Sequence, residues 1–379
     1  MREFQDAFTI KLKCLSPVFV GSGREINKKE YLYINSSEIG VLDFERFYAF
    51  IRQRRLGGSF DEFLMNDSKG RLFEWLKKNR IDIKEVKPYI KYSLSCKDTS
   101  LERGTKIQIM EFSRDPYGEL YIPGSSLKGM LRTVLMYSKI AGSPDDYTSI
   151  RNDMERAIRF SRERSNGRAD RNLLSREEKA AEVKAFFTLN RDNKGKNNND
   201  ARNDIFAGLL VGDSKPIEAS HLILAQKIDR GTNGEENRLN LLRESLKPGT
   251  EMEFPIVIDQ SICPLSREDI ISSINTFVSV YNNSFVKKFK GIKLIPEDTI
   301  VLGGGSGFVS KTINYVLWGE ENGTRINKDI FDRTGVPIKH RHNEDMVKGV
   351  SPHMIKYTSY NGELCQMGLC KIMLFDTIG

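Results

Sequence analysis

At 379 residues the chain exceeds the usual size of one hydrophobic core, and 39% hydrophobic with 29% charged residues is the balance of a soluble globular protein of about two domains. No apolar run reaches the roughly 18 residues that cross a bilayer, Met1–Asp6 lacks the hydrophobic core of a signal peptide, and five cysteines without a C-x-x-C pair argue against a disulfide scaffold, so a cytosolic protein away from membranes is expected. A formal charge of +8 and a pI near 9.0 favour a polyanionic partner, with nucleic acid first.

Phe8, Ile10, Leu12 and Cys14 alternate with Thr9, Lys11 and Lys13, the period of a strand with one face buried, and this strand opens the first domain. It continues through residues 15–20 into Gly21, Ser22, Gly23 and Arg24, where two glycines allow a ligand close to the backbone and Arg24 supplies charge. A Gly-Ser-Gly turn alone is equally a plain loop. Residues 31–34 and 39–42 read as short strands, and Asp43 caps a helix whose apolar face includes Phe44, Phe47, Phe50 and Ile51. More helix follows around Phe60, Phe63 and Leu64, then Leu72, Phe73, Trp75 and Leu76. These aromatic residues are expected in a core rather than stacked on bases, and Arg52, Arg54 and Arg55 form a small basic edge. Residues 105–112 read as a strand, a turn at Arg114–Gly118 reverses it, and residues 119–122 return as its hairpin partner.

Tyr121-Ile122-Pro123-Gly124-Ser125-Ser126-Leu127-Lys128-Gly129-Met130-Leu131-Arg132 then reads as a strand end, a tight turn and a helix start. Ser125 or Ser126 is the expected cap, and Leu127, Met130, Leu131, Val134 and Leu135 make one buried helical face. Lys128 and Arg132 stand four apart beside a helix N-terminus, whose free N–H groups attract anions, so a phosphate site and an ordinary capped helix with a solvated edge both fit.

Residues 151–203 carry ten Arg and four Lys against nine acids, or +5 of the net +8. Residues 180–189 suit a helix, whereas residues 191–200 have too little apolar surface to fold alone. This insertion reads as an electrostatic contact to RNA backbone or as a solvated loop. Apolar strands are expected over 205–211, near 221–228, over 251–258 and, finally, over 369–375 inside the second sheet. Ser266 with Asp269 forms a capping box ahead of a core helix bearing Ile270, Ile271, Ile274, Phe277, Val278 and Tyr281.

After Ile300-Val301-Leu302 comes Gly303-Gly304-Gly305-Ser306-Gly307, followed by Phe308, Val309, Ser310, Lys311 and Thr312. The spacing from Gly305 to Lys311-Thr312 nearly matches the loop that wraps nucleotide phosphates, but Ser310 stands at the second glycine position and no acidic strand to hold Mg²⁺ accompanies it. The same glycines and Lys311 can instead hold RNA phosphates. His340, His342 and His353 cluster with Lys339, Arg341, Lys348 and Lys356, which reads as a basic loop; neither a Cys nor a carboxylate completes a recognised metal-ligand spacing.

The P-G-S-S-L-K-G-x-x-R run at Pro123–Arg132, the L-S-P-V-x-x-G-S-G run at Leu15–Gly23 and the glycine loop at 303–307 resemble the RAMP proteins, the RNA-binding subunits of CRISPR effector complexes. The resemblance is strongest at residues 15–24, 120–132 and 303–317 and weakest across 45–100 and 150–203. Within the family the chain looks most like the Cas7-like subunit that caps the crRNA 3′ end in type III-A (Csm) complexes, although relatives often carry His where this chain has Phe19. The resemblance implies an α+β RAMP fold of two RRM-like or ferredoxin-like domains with helical and basic insertions: an N-terminal domain over 1–150, a basic insertion over 151–203 and a C-terminal domain over 204–379, whose projecting hairpin faces bound RNA. It implies a binding subunit without catalytic residues, metal or cofactor, contacting crRNA and also target RNA, the repeated Cas7-like backbone subunit and the small helical subunit. The RNA contacts expected are Gly21, Ser22, Gly23, Arg24, Ser125, Ser126, Lys128, Arg132, Gly303, Gly304, Gly305, Ser306, Gly307 and Lys311. Two alternatives remain: an endoribonuclease using His221, His340 or His342 as acid or base, and an NTPase using Lys311 and Thr312.

Overall fold

The alternating N-terminal stretch becomes the central strand of the protein. In the computed structural model, which describes residues 4–66, 70–100, 108–164, 173, 175–189, 191, 200–337, 340 and 342–376, strand β1 (Gln5–Cys14) buries Phe8, Ile10, Leu12 and Cys14 to 1% exposure or less. Each such side chain taken out of water contributes on the order of 1.5–3 kcal/mol, which fixes which face of β1 turns inward.

The remaining strands are β2 (Gly21–Ile26), β3 (Tyr31–Asn35), β4 (Glu38–Leu42), β5 (Ile90–Ser95), β6 (Gln108–Phe112), β7 (Leu209–Val211), β8 (Leu222–Gly231), β9 (Glu236–Leu246), β10 (Glu251–Asp259), β11 (Thr299–Val301), β12 (Met354–Tyr360), β13 (Glu363–Gln366) and β14 (Leu369–Asp376). The helices are α1 (Phe44–Gln53), α2 (Gly57–Asn66), α3 (Leu72–Lys78), α4 (Ile83–Val86), α5 (Gly124–Gly142), α6 (Thr148–Arg164), α7 (Ser175–Phe186), α8 (Arg267–Ser284), α9 (Asn314–Arg333) and α10 (Asp345–Lys348).

Two sheets result. The first has the order β11-β14-β1-β10-β7, antiparallel throughout. Within it β14-β1-β10-β7, with α5 between β1 and β7 and α8 between β10 and β14, is the βαββαβ order of a ferredoxin-like unit. Helices α5 and α8 meet through Tyr137 and Phe277, whose rings lie 5.0 Å apart edge-on, and their buried faces join the core under β1. The second sheet runs β2-β6-β9-β8-β5-β4-β3, with β12 pairing the end of β8 and β13 pairing β12.

The α+β class holds, and the strands are interleaved along the chain. Four of the five strands in the first sheet come from beyond residue 204 and one from before 150, while the second sheet takes β2–β6 from the first part and β8, β9, β12 and β13 from the last. The sheets therefore do not divide at the expected boundaries. β14 pairs with β1 in a register that sets Leu12 opposite Ile372, so the final strand closes on the first. The expected hairpin also differs. β6 pairs with β2 and β9, and residues 119–122 contribute only a bridge from Leu120 to Arg114 and Ile217; residues 105–107 lie outside the described set.

Local signals read from the sequence reappear at α1 and α8. Asp43 accepts from the Arg46 N–H, and Ser266 with Asp269 forms a capping box. Phe47, Phe60, Phe63 and Trp75 form a separate aromatic core with Leu32, Leu42 and Ile51. The basic insertion contributes α6, whose Met154 and Ile158 pack against Ile326 and Ile330 of α9, and α7; residues 192–199 lie outside the described set.

Candidate nucleic-acid interface

Phe19 is the point at which two of the glycine motifs meet. The Gly304 N–H donates to the Phe19 carbonyl at 2.7 Å, and a Cβ on Gly304 would lie 2.9 Å from the Phe19 ring, while one on Gly21 would lie 2.7 Å from the tip of that ring. Gly303 has φ +82°, and a Cβ there would sit 2.1 Å from the Phe19 carbonyl oxygen, so only glycine fits. The loop is held from the other side by Gly368, whose N–H bonds the Pro17 carbonyl at 2.9 Å and whose carbonyl accepts from Leu302 at 2.8 Å. Close packing against Phe19, as well as backbone freedom, thus explains why residues 303–307 carry no bulky side chain.

Beside this loop four cations gather on one face of the second sheet. Arg243 on β9 lies with its guanidinium 5.6 Å from the Phe19 ring centroid and 3.3 Å from where a Gly305 Cβ would project. Lys356 on β12 passes 3.4 Å from the corresponding Gly307 position. Lys227 on β8 and Lys311, just after the loop, complete the group. Asp229 is their carboxylate, 2.9 Å from Lys356 Nζ and 3.8 Å from Lys227 Nζ. Arg243 Nη1 is buried without a hydrogen-bond partner among the described residues. Burial lowers the pKa of Lys227, Arg243 and Lys311; repulsion from Lys356 adds to the shift at Lys227 and the Arg243 charge to that at Lys311. Crowded cations facing one carboxylate are poorly solvated and mutually repelled, which is the condition that an anion relieves.

The other expected contacts turn inward. Lys128 Nζ donates to the Phe206 and Leu209 carbonyls at 2.8 and 2.7 Å, and burial lowers its pKa. Arg132 bonds Asp204 at 2.8 Å, reaches Glu182 at 3.5 Å and lies against the Phe186 and Phe206 rings, which touch each other edge-on. Both side chains therefore fasten residues 204–209 to α5 instead of standing free at the helix end. Helix α5 starts at Gly124, so Ser125 and Ser126 fall inside its first turn and cap nothing; the Gly124 N–H donates instead to Asp213 Oδ1 at 2.7 Å. That carboxylate occupies the place expected for a phosphate. Residues 21–24 form an exposed strand rather than a turn, with Ser22 Oγ donating to Glu111 at 3.0 Å and Arg24 bonded to Glu111 at 2.9 Å and paired with Glu30. Glu111 also contacts Arg114, which bonds the buried Glu244 at 3.2 Å, so Arg24 is the outer end of a paired network.

Residues 11–344 match the RAMP superfamily. The chain belongs to that superfamily. Among individual RAMP relatives, it is 27% identical to the "CRISPR system Cms protein Csm5" of Mycobacterium tuberculosis over 99% of both chains, and 29% identical to the Streptococcus thermophilus protein of that name over 83% of this chain and 82% of the other. In fold it is similar to a chain of a Csm–crRNA–target RNA ternary complex from a type III-A CRISPR-Cas system, with a TM-score of 0.64 at 21% identity over 97% of this chain and all of the other. It is also similar to T.onnurineus Csm5, with a TM-score of 0.58 at 18% identity over 95% of this chain and 99% of the other.

Seen as a RAMP loop, residues 303–312 do not form a nucleotide-wrapping P-loop. Lys311 ends a short 3₁₀ turn at Val309–Lys311, α9 begins only at Asn314, and Ser310 is buried with its hydroxyl 3.2 Å from Ser306 Oγ. Thr312 is 7% exposed, and its Oγ1 is buried without a hydrogen-bond partner among the described residues. His221 bonds Thr250 at 3.1 Å at the base of β8, far along the chain from His340 and His342, whose rings lie 6.3 Å apart. Lys339 and Arg341 lie outside the described set. Sequence reasoning missed Lys227, Arg243 and most of the role of Lys356. Period-2 alternation within β8 and β9 places Lys227 and Arg243 on one face, but which neighbours they meet depends on pairing between strands distant in sequence.

Proposed function

We propose that this RAMP protein is a crRNA-binding structural subunit of a type III-A CRISPR-Cas effector complex, capping the backbone filament at the crRNA 3′ end and supporting crRNA maturation in antiviral defence. Full-length similarity to Csm5 proteins supports this reading. On it, the chain works in the cytoplasm, binds crRNA beside target RNA, and abuts the Cas7-like backbone subunit and the small helical subunit. No described helix is long and apolar enough to cross a membrane.

The observation that carries the RNA-binding role is the group of Lys227, Arg243, Lys311 and Lys356 around the glycine loop with Asp229 as its carboxylate. Phosphate contacts of this kind position RNA without reading its sequence. Retention is therefore expected for crRNA and for an unrelated single strand alike. Each phosphate neutralised on a single strand contributes about 0.7 to the slope of log K against log salt, so Arg243→Ala with Lys311→Ala should flatten that slope by about 1.4. Filter binding of labelled crRNA across salt, with and without Mg²⁺, measures it while scoring cleavage. An unchanged slope removes the basic face from the interface, and discrete cutting lost in a single His variant moves the chain to the nuclease class.

A further inference from the structure

Three side chains outside the basic face converge where α10 meets the start of β12. Asp345, the first residue of α10, is completely buried; His353, immediately before β12, is 3% exposed; and the side chain of His342, ahead of α10, is 15% exposed. One carboxylate oxygen and one ring nitrogen from each histidine all lie within 4.8 Å of one another. His342 Nδ1 is 3.0 Å from Asp345 Oδ2, His353 Nδ1 contacts Asp345 Oδ1, and Ser351 Oγ donates to Oδ2 at 2.5 Å. The ion-pair partners of Asp345 among the described residues are these two imidazoles, with neither a lysine nor an arginine among them. A carboxylate removed from water in this way is favoured by a nearby positive charge.

We propose that His342, Asp345 and His353 form a site for one divalent transition-metal ion of the zinc class. Two imidazoles and one carboxylate suit a borderline cation, whereas magnesium and calcium take oxygen ligands almost throughout. The partial exposure of His342 gives an entry path and leaves room for water as a further ligand. The surroundings are rigid enough to hold the three donors in place. The Ser351 N–H donates to Tyr315 Oη at 3.0 Å, and the Ser351 carbonyl accepts from Tyr315 Oη at 2.9 Å and from Asn327 Nδ2 at 3.0 Å, which anchors the segment between Asp345 and His353 to α9. The bound ion joins α10 to the strand that carries Lys356. It also adjoins the glycine loop through a series of tilted ring contacts, with Phe331 4.3 Å from the His342 ring and Phe308 4.9 Å from Phe331. The sequence concealed this site because its carboxylate lies three residues from one histidine and eight from the other, a spacing that belongs to no familiar motif.

The test uses the full chain without an affinity tag, stripped with EDTA, dialysed and titrated with Zn²⁺. Mass spectrometry of the bound metal should give one zinc per chain, and the unfolding temperature should rise with Zn²⁺ concentration. His342→Gln, chosen because that side chain reaches the surface, should weaken zinc binding at least about tenfold while circular dichroism remains native. His221→Gln should leave binding unchanged. Failure to retain zinc at micromolar concentration overturns the proposal, as does stoichiometric zinc that persists in His342→Gln. If His353→Gln does not fold, His342→Gln still decides between these outcomes.

Discussion

Replacing Gly303 with alanine tests whether the glycine loop is shaped by its contact with residues 17–21. The added Cβ would lie 2.1 Å from the Phe19 carbonyl oxygen, at least about an ångström inside ordinary contact, and φ at this position is +82°. A left-handed conformation costs a residue with a side chain about 1–2 kcal/mol. Relieving the overlap moves the loop away from Phe19, and the 2.7 Å bond from the Gly304 N–H is lost with it, a further 0.5–1.5 kcal/mol or about that. The expected destabilisation is therefore about 1.5–3.5 kcal/mol. Gly129→Ala is the matched control, because Gly129 is exposed in α5 and a Cβ there meets nothing within 4 Å. It should stabilise by about 0.5–1 kcal/mol through helix propensity. Urea denaturation followed by circular dichroism and by fluorescence compares the three proteins. A Gly303→Ala protein within about 0.5 kcal/mol of the parent would refute the contact and the reasoning built on it.

Lys128→Met should cost about 1–3 kcal/mol by stranding the Phe206 and Leu209 carbonyls, and Arg132→Ala should destabilise through Asp204, yet neither should change the salt dependence of RNA binding in the folded protein. A slope flatter by about 0.7 for either variant would return that residue to the interface. Hydrogen bonding from Arg267 holds the Asp6 carboxyl below its ordinary range, so this pair contributes stability above the usual carboxylate pKa and loses it as pH falls through the lowered folded value. Asp6→Asn should therefore be less stable than the parent at pH 7 and approach it below pH ~3, a gap read from denaturation curves at several pH values; a gap that does not change with pH would show that the pair is not the cause.

The recurrent distinction in this protein is between signals that act over a few residues and those that depend on distant partners. Alternation in β1, the Asp43 cap, the Ser266–Asp269 box and the apolar face of α5 were legible because a strand or helix period and a cap are completed within one or two turns of chain. The glycine loop was legible for the same reason, as was the aromatic core of α1–α3. Lys128 and Arg132 show the limit. Their spacing beside a helix start is that of an anion site, and the groups that use them instead, the Phe206 and Leu209 carbonyls and Asp204, arrive from more than 70 residues away.

By itself, then, the sequence determined the buried faces, the Asp43 and Ser266 caps, the glycine-rich loop, the excess of positive charge and the family resemblance, all of which are local patterns or sums over the chain. Only the tertiary structure decided that β14 closes on β1, that Phe19 packs against both Gly21 and Gly304, that Arg243 and Lys227 join Lys311 and Lys356, and that Asp345 meets His342 and His353. The physical reason is that strand pairing and burial bring together residues whose separation in the chain carries no record of the contact. Whether a cation is spent on an internal carbonyl or left facing an anion depends on those contacts and not on its neighbours in sequence.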